Sequence, residues 1–406
     1  MRMLANRAML ALTVALAAAG LAAILTQSPA SRLSSDFTIN YSAGMLVRQG
    51  HLAAPYDQVE LGATMRRVAP EGAIDPRLPF SLPLAAALPY AALSLLPFEV
   101  AFRLFQLLSA ALLLIAVLLL MRAAPTLPSP ASGGGKSMAP PASGGGKSIA
   151  LAMIGLLAAV PAWGAFTEGQ PTAWLLLGAV MVTLALRADS LALAAGAGML
   201  LAVKPQYLPV YLTVLFAARR WRSLGAAAAG GAVVLLSPLA GGGGALTAMV
   251  HNALSANQAV AIRLNESWIG VIGPALPARV ATIVAIALYL AVLLALGLLA
   301  WRRPASIMGF AALTGTLAVL ASPHALPHDV LILAVPAWLA IGLHLQRALP
   351  NPIAALLALD VALLIDLRGI DVPLGPVVMT AAVAWYGWQF RQRAVQRRRP
   401  PIGQAA

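Results

Sequence analysis

The chain has 406 residues, of which 60% are hydrophobic and only 10% are charged. Soluble domains carry about 25% charged residues, so this composition excludes an ordinary water-soluble domain and indicates a protein largely covered by lipid. The chain contains no cysteine, which excludes disulfides and cysteine-based metal or redox sites.

Apolar segments recur along the whole chain and predict an all-α protein, a polytopic transmembrane bundle. About 20 apolar residues in a helix cross the roughly 30 Å hydrocarbon core of a bilayer, and shorter segments need tilting or local thinning of the bilayer. The predicted spans, about twelve in all, are 8–26, 102–121, 149–165, 171–187, 190–203, 206–218, 224–240, 279–301, 305–321, 329–345, 352–366 and 373–390.

Segment 80–97 is a further apolar block that does not fit an even number of crossings. It contains Pro83, Pro89 and Pro97, and proline interrupts a helix. We therefore expect a kinked or re-entrant half-helix, because irregular backbone at membrane depth is tolerated where protein buries it. The alternative is that another short segment has been miscounted as a span.

The net charge is +14, and its distribution favours membrane orientation over nucleic-acid binding. The basic residues flank predicted spans, as the positive-inside rule describes. Both termini are therefore predicted to be cytoplasmic, and the first span is read as an anchor rather than a cleaved signal peptide. The flanking residues are Arg2, Arg7, Arg122, Arg187, Arg219, Arg220, Arg222, Arg302, Arg303, Arg347, Arg391, Arg393, Arg397, Arg398 and Arg399.

These clusters predict which loops lie on each side of a single membrane domain, 1–406. The cytoplasmic loops are 122–148, 187–189, 219–223, 302–304 and 346–351. The external loops are 27–79, 166–170, 204–205, 241–278, 322–328 and 367–372. Most histidines and carboxylates fall in the external set, so the chemistry is expected at the outer face.

The cytoplasmic loop 122–148 contains the unit Ala-Ser-Gly-Gly-Gly-Lys-Ser twice, at 131–137 and 142–148. A phosphate-binding loop needs a further glycine five residues before the Gly of Gly-Lys-Ser. Pro130 and Pro141 occupy that place in the two copies. The composition is typical of a flexible linker, and nucleotide binding is disfavoured.

Loop 27–79 carries the most suggestive carboxylate, Asp36, about ten residues beyond the first span. A carboxylate at the outer rim of the membrane can act as a general base toward a hydroxyl group. The competing interpretation is structural, since Ser34, Ser35 and Asp36 precede an amphipathic stretch and could cap a helix. Residue type alone leaves both open.

Two short external connections carry polar groups. Gln170 follows Gly169 in a short turn, which gives it either a turn-forming or a substrate-binding role. Lys204 precedes Pro205 in a long apolar region. It could snorkel to the interface or bind a lipid-linked phosphate as a point charge.

His324 and His328 are four residues apart between two spans. Metal binding is disfavoured because Pro327 separates them and the Glu of a His-Glu-x-x-His site is absent. Contacts to a phosphate or sugar remain open beside a simple turn. Loop 241–278 adds Asn257 and Arg263, in a mixture typical of carbohydrate sites and also of ordinary external loops.

The order of these motifs resembles the family 87 glycosyltransferases, membrane enzymes of the GT-C type that use polyprenyl-phosphate-linked sugars and include bacterial mannosyltransferases. The matching elements, in chain order, are Asp36-Phe37-Thr38-Ile39-Asn40-Tyr41, Pro55-Tyr56-Asp57, Phe80-Ser81-Leu82-Pro83 with Leu96-Pro97-Phe98, Gly169-Gln170-Pro171-Thr172, Lys204-Pro205, Asn257-Gln258 and Ser322 to His328. Asn40 stands for a tyrosine, Thr172 for an asparagine, and the duplicated linker is extra.

The resemblance implies a GT-C-like fold in the inner membrane of a bacterium and a hexosyltransferase activity. A mannose-like hexose or a pentose would pass, with inversion, from a polyprenyl-phosphate donor to a lipid or glycan acceptor. Asp36 would be the base, and no cofactor or metal is implied. The residues expected to bind donor phosphate or substrate are Lys204, His324, His328, Arg263, Gln170, Tyr41 and Asn257.

Three other functions remain open from the sequence. A secondary transporter or flippase would also combine many spans with broken helices, although no internal repeat is evident. A related enzyme could move whole oligosaccharides. An inactive scaffold is the third.

Overall fold

The computed structural model describes residues 2–69, 73–122, 154–259, 265–304, 306–345, 352–366 and 373–398. These residues form helices and no strand, as the sequence predicts. The predicted linker 122–148 lies almost wholly outside the described residues, as does Arg263. The N-terminal helices are α1 (Arg2–Thr26), α2 (Pro29–Leu33), α3 (Asp36–Arg48), α4 (Gln58–Val68), α5 (Leu84–Leu93) and α6 (Phe98–Arg122).

The remaining helices form the larger part of the bundle. They are α7 (Val160–Thr167), α8 (Thr172–Ala188), α9 (Leu191–Leu201), α10 (Tyr207–Ala217), α11 (Trp221–Leu235), α12 (Gly243–Ala259), α13 (Trp268–Ile272), α14 (Ala278–Trp301), α15 (Ile307–Leu320), α16 (Ala334–Leu345), α17 (Ile353–Asp366) and α18 (Gly375–Arg398). Short 3₁₀ helices occur at Ala54–Tyr56, Ser237–Gly241, Gly273–Ala275 and Pro327–Leu333.

Three of the described helices are long and apolar enough to cross a membrane, namely Phe98–Met121, Trp221–Gly241 and Ala278–Trp301. Several other apolar helices are shorter than a full crossing, among them α5, α8, α9, α10 and α15. The all-helical membrane character is therefore present, while the number of about twelve spans stays a prediction.

The predicted first external loop, 27–79, is largely helical. Helix α3 packs against both α4 and α5, and α5 is the helical part of the proline-rich segment 80–97. Helix α5 has ten residues between Pro83 and Ser94 and is about 15 Å long. This length agrees with the half-helix predicted for this segment and is too short for a crossing.

Helices α9 and α10 form a hairpin with Lys204 near its tip. Each helix has 11 residues, or about 16 Å, half the thickness of the hydrocarbon core. Asp189, before α9, pairs with Arg220, after α10, at 3.2 Å, so the chain leaves on the side where it entered. The predicted break at Pro205 is therefore confirmed, and it is the tip of two half-length helices.

Small residues bring α9 and α11 together. A Cβ added at Gly198 would lie 1.9 Å from the carbonyl oxygen of Ala227, and one at Gly230 would lie 2.2 Å from that of Ala195. Backbones approach this closely only where the crossing residues are small, as is common between membrane helices. This contact fixes the hairpin against the rest of the bundle.

Candidate active site

Helix α3 presents Asp36 as its first residue. Ser35 is the N-cap residue and makes no side-chain capping bond, while the backbone N–H of Phe37 donates to the carbonyl oxygen of Glu168 at 2.9 Å. The start of α3 is thus fixed to the turn that carries Gln170. Asp36 is free of the capping role considered above.

Gln170 is held where it can reach Asp36. Its Nε2 donates a hydrogen bond to Oδ2 of Asp36. The preceding Gly169 has a φ of +63°, and a Cβ there would lie 2.5 Å from Cβ of Phe37, so both conformation and space require glycine. The turn predicted at 169–171 therefore serves to orient the Asp36 carboxylate.

Lys204 is a buried cation with a fixed counter-charge. Its side chain is 7% exposed, and its Nζ donates to Oδ1 of Asp329, which is fully buried. Nε2 of His328 lies 3.4 Å from the same Nζ. Because an unpaired buried charge is very costly, Asp329 is what allows an ammonium group at this depth. The snorkelling alternative is excluded by this burial.

The segment around His324 is held through its backbone. Asn265 accepts from the N–H of Ala325 and donates to the carbonyl oxygen of Pro323, both at 3.0 Å. Gln206 donates to the carbonyl oxygen of His324 at 3.0 Å. These bonds leave the His324 imidazole available to a ligand.

His324 is an uncharged group at neutral pH. Burial first, and then the positive charge of Lys204, lower the pKa of His324 to about 4. The imidazole can therefore exchange hydrogen bonds with a ligand, whereas positive charge comes from Lys204.

Four of the predicted residues line one cavity of about 270 Å³, close to the lower end of the usual range for ligand sites. They are Asp36, Gln170, Lys204 and His324. Asn40 and Gln206 line it as well. Four predicted external loops, 27–79, 166–170, 241–278 and 322–328, and the tip of the α9–α10 hairpin thus converge on a single space.

The cavity is recessed into the bundle. Ile286 of α14 lines it, and the hydroxyl of Tyr289 donates to the carbonyl oxygen of Gln206 at 2.7 Å. Tyr289 lies about 17 Å from the start of α14 and about 18 Å from its end, and α14 is long enough to cross a membrane. Bound substrate would therefore react well below the rim of that helix.

The other predicted residues lie elsewhere. Tyr41 is buried in an aromatic cluster with Phe37 and Phe98, and its hydroxyl donates to the carbonyl oxygen of Leu96 at 2.7 Å. His328 lies behind Lys204 and is absent from the cavity lining. Asn257 belongs to α12, and its side chain lies outside the described part, as does the whole of Arg263.

Sequence reasoning gave no specific site role to three residues that shape this site. Asn40 lies one helical turn after Asp36, so the 3.6-residue period of α3 could have indicated it. Asp329 follows His328 directly in the same motif, but its partner is 125 residues away. Asn265 has no local signal, because its role depends on a tertiary contact. In the described part of the chain, no three His, Asp or Glu side chains are arranged to hold a metal ion.

The all-helical fold and a polar cavity recessed among apolar helices define a membrane protein with an internal carboxylate and lysine site. Over residues 80–323, more than half of the chain, the sequence matches the family model described as Glycosyltransferase family 87. The chain belongs to this family and is a membrane glycosyltransferase. Gln170 and Lys204 lie within the matched segment, whereas Asp36 precedes it and His324 follows it directly. No curated protein and no solved structure matches the chain.

Proposed function

We propose that the protein transfers a mannose-like hexose or a pentose from a polyprenyl-phosphate donor to a hydroxyl group of a lipid or glycan acceptor. The reaction would take place at the outer face of a bacterial inner membrane, with both termini in the cytoplasm. The observation that supports this proposal is the presence of Asp36 and Lys204 in the lining of one recessed cavity. Family membership supplies the glycosyltransferase class.

In the proposed reaction, Asp36 accepts the proton of the acceptor hydroxyl. The acceptor oxygen attacks the anomeric carbon and forms the new glycosidic bond, while the bond between that carbon and the phosphate oxygen breaks. The phosphate leaves with the electron pair. Because the acceptor would attack from the face opposite the leaving phosphate, the configuration at the anomeric carbon inverts. General base catalysis by a positioned side chain contributes roughly 10²- to 10⁴-fold in rate.

Lys204 would stabilise the negative charge that develops on the leaving phosphate. Preorganised charge in a water-excluded site is often the largest contribution to catalysis, and the Asp329 contact keeps Lys204 in place before substrate arrives. Gln170 would hold Asp36 in the reactive orientation, and His324 would exchange hydrogen bonds with the sugar or phosphate.

The first test is the transfer of labelled sugar from synthetic polyprenyl-phosphate-mannose and polyprenyl-phosphate-arabinose to a membrane lipid extract. We expect transfer by the wild type and a loss of roughly 10²-fold or more in Asp36→Asn. The control is Asp75→Asn, an exposed carboxylate of the same predicted loop that pairs with Arg77, and it should retain activity.

Retained turnover in the folded Asp36→Asn variant would rule out Asp36 as the general base. No transfer by folded wild type with either donor would favour the secondary transporter or flippase.

A further inference from the structure

A second cavity lies at the C-terminal end of α14, whereas the candidate active site lies beside the first half of this helix. Its volume is about 520 Å³, nearly twice that of the candidate active site. Leu299 of α14 lines it, whereas Ile286 lines the candidate active site. Thirteen residues separate the two along the helix, or about 20 Å. The second cavity is therefore a separate site, remote from the proposed chemistry.

The walls of this cavity are apolar and come from α14 to α18. Phe310, Leu359, Met379 and Val383 are representative of its lining, and no carboxylate occurs among the described lining residues. An aqueous substrate would gain few polar contacts in such a space. A hydrocarbon chain would fill this space favourably, because apolar walls suit an apolar ligand.

Two arginines give the apolar cavity a charged end. Arg302 and Arg303 follow α14, line the cavity and are solvent-exposed. Neither has a carboxylate partner in the described part of the chain. Two unpaired guanidinium groups beside an apolar space match a molecule with a hydrocarbon chain and an anionic head, since arginine binds phosphate through paired hydrogen bonds.

Exposed tryptophans mark this end of the bundle as a membrane–water interface. Trp221 and Trp301 flank the guanidinium of Arg219 at 5.4 and 5.3 Å, and Trp385 and Trp388 lie on α18 next to Tyr386 of the cavity lining. All four indoles are more than half exposed. Aromatic belts of this kind lie at the level of lipid headgroups, which places Arg302 and Arg303 at headgroup depth.

We propose that this cavity binds one anionic phospholipid of the surrounding leaflet, with an acyl chain between α15 and α18 and the headgroup phosphate on Arg302 and Arg303. The occupant is a membrane lipid rather than the sugar donor, because the donor has to reach Asp36 in the other cavity. On the predicted cytoplasmic side, where anionic lipids are concentrated, basic residues near the surface strengthen such binding.

Native mass spectrometry of delipidated protein tests the proposal by titration with phosphatidylglycerol, phosphatidylcholine of the same chain length, and polyprenyl phosphate. We expect one phosphatidylglycerol per chain, bound roughly tenfold or more tighter than phosphatidylcholine. The double variant Arg302→Gln with Arg303→Gln should lose this preference. The control double variant Arg66→Gln with Arg67→Gln, exposed on α4, should keep it.

A second variant tests the apolar part independently of charge. Gly387 lines the cavity, and a Cβ there meets nothing within 4 Å, so Gly387→Leu should fill the space without a clash and with a better helix propensity. Binding of both phospholipids should fall at least tenfold. Gly297→Leu is the control, because Gly297 is equally open and lies outside the lining.

Equal binding of the two phospholipids, or binding unchanged in both test variants, would overturn the proposal. A preference for polyprenyl phosphate over phosphatidylglycerol would overturn the assignment of the ligand as a phospholipid.

Discussion

Asp36 has to be deprotonated before it can accept a proton, and its neighbours act on it in opposite directions. Burial raises the pKa of the Asp36 carboxyl, while the hydrogen bond from Gln170 and the charge of Lys204 lower it, and burial has the largest effect. Burial, and then the charge of Asp36, also raise the pKa of Glu168 to about 7. The charge of Asp36 therefore disfavours ionisation of Glu168 beside it.

The pH dependence of transfer follows from this balance. Because the pKa of Asp36 is raised, its base form is lost as the pH falls through that raised value, and the rate should fall on the acid side. Gln170→Leu removes a donor that favours the charged form, so the acid limb of the pH–rate profile should move to higher pH, with partial recovery at alkaline pH. Gln49→Leu, an exposed position after α3, should leave the profile unchanged. An unshifted acid limb in the Gln170 variant would show that Gln170 does not position Asp36.

Variants of the Lys204–Asp329 pair distinguish an effect on stability from an effect on catalysis. Asp329→Leu leaves a buried ammonium without its partner, which typically costs about 3 to 5 kcal/mol, so the apparent melting temperature in detergent should fall markedly. The double variant Lys204→Met with Asp329→Leu replaces both charges by apolar groups and should regain most of that stability. Transfer should nevertheless remain low in the double variant, because Lys204 is the one lysine or arginine among the described residues of the cavity lining. Full transfer by the stable double variant would contradict the role given to Lys204.

At the scale of single helices, the sequence predicts where a helix is interrupted better than it predicts which side of a helix lines the cavity. The half-helix within 80–97 and the break at Pro205 follow from proline and are both present. Tyr41, in contrast, lies about 140° around α3 from Asp36, whereas Asn40 lies about 40° away. The aromatic cluster takes Tyr41, and Asn40 reaches the cavity. The helical periodicity of α3 indicates that Asn40 shares a side of the helix with Asp36. Which side lines the cavity depends on tertiary packing.

Long-range contacts set the limit of prediction for the rest of the site. Asn265 holds residues 58 and 60 positions further along the chain, and Glu266 donates its N–H to the carbonyl oxygen of Ala325 at 2.6 Å. Nothing in the composition of 241–278 distinguishes such a clamp from an ordinary loop. The sequence could therefore name His324 as a candidate, but it could not show what fixes its backbone.

The α9–α11 contact predicts a strong effect of side-chain size at a position that touches no substrate. Gly198→Leu would force the leucine against the Ala227 carbonyl, which is backbone and cannot move aside. Overpacking typically costs about 1 to 3 kcal/mol or more, so the apparent melting temperature should drop. Gly225→Leu on α11 is the matched control, since a Cβ there meets nothing within 4 Å. Equal stability of the two variants would show that the helices separate at little cost.

For the whole molecule, charge and fold agree on which segments share a side. Three segments predicted to be cytoplasmic, 187–189, 219–223 and 302–304, meet at one end, because Asp189 pairs with Arg220 and Arg219 donates to the carbonyl oxygen of Trp301 at 2.8 Å. Segments predicted to be external converge on the Asp36 cavity. This grouping follows from the positive-inside pattern, although several helices are shorter than the spans that the hydropathy indicated.

The direction in which this grouping faces is a separate prediction, and the cysteine-free chain suits its measurement. Single cysteines at Asp75, Arg222 and Gln392 occupy exposed positions in the predicted external loop, a cytoplasmic loop and the C-terminal helix. In intact cells a membrane-impermeant maleimide should label Asp75→Cys alone, and Arg222→Cys and Gln392→Cys should react only after permeabilisation. Labelling of all three after permeabilisation controls for accessibility.

The reverse pattern would put the Asp36 cavity on the cytoplasmic side, where a donor would have to arrive from the inner leaflet. Labelling of positions 222 and 392 from opposite sides would instead require an odd number of crossings between them and a revised count of the short helices.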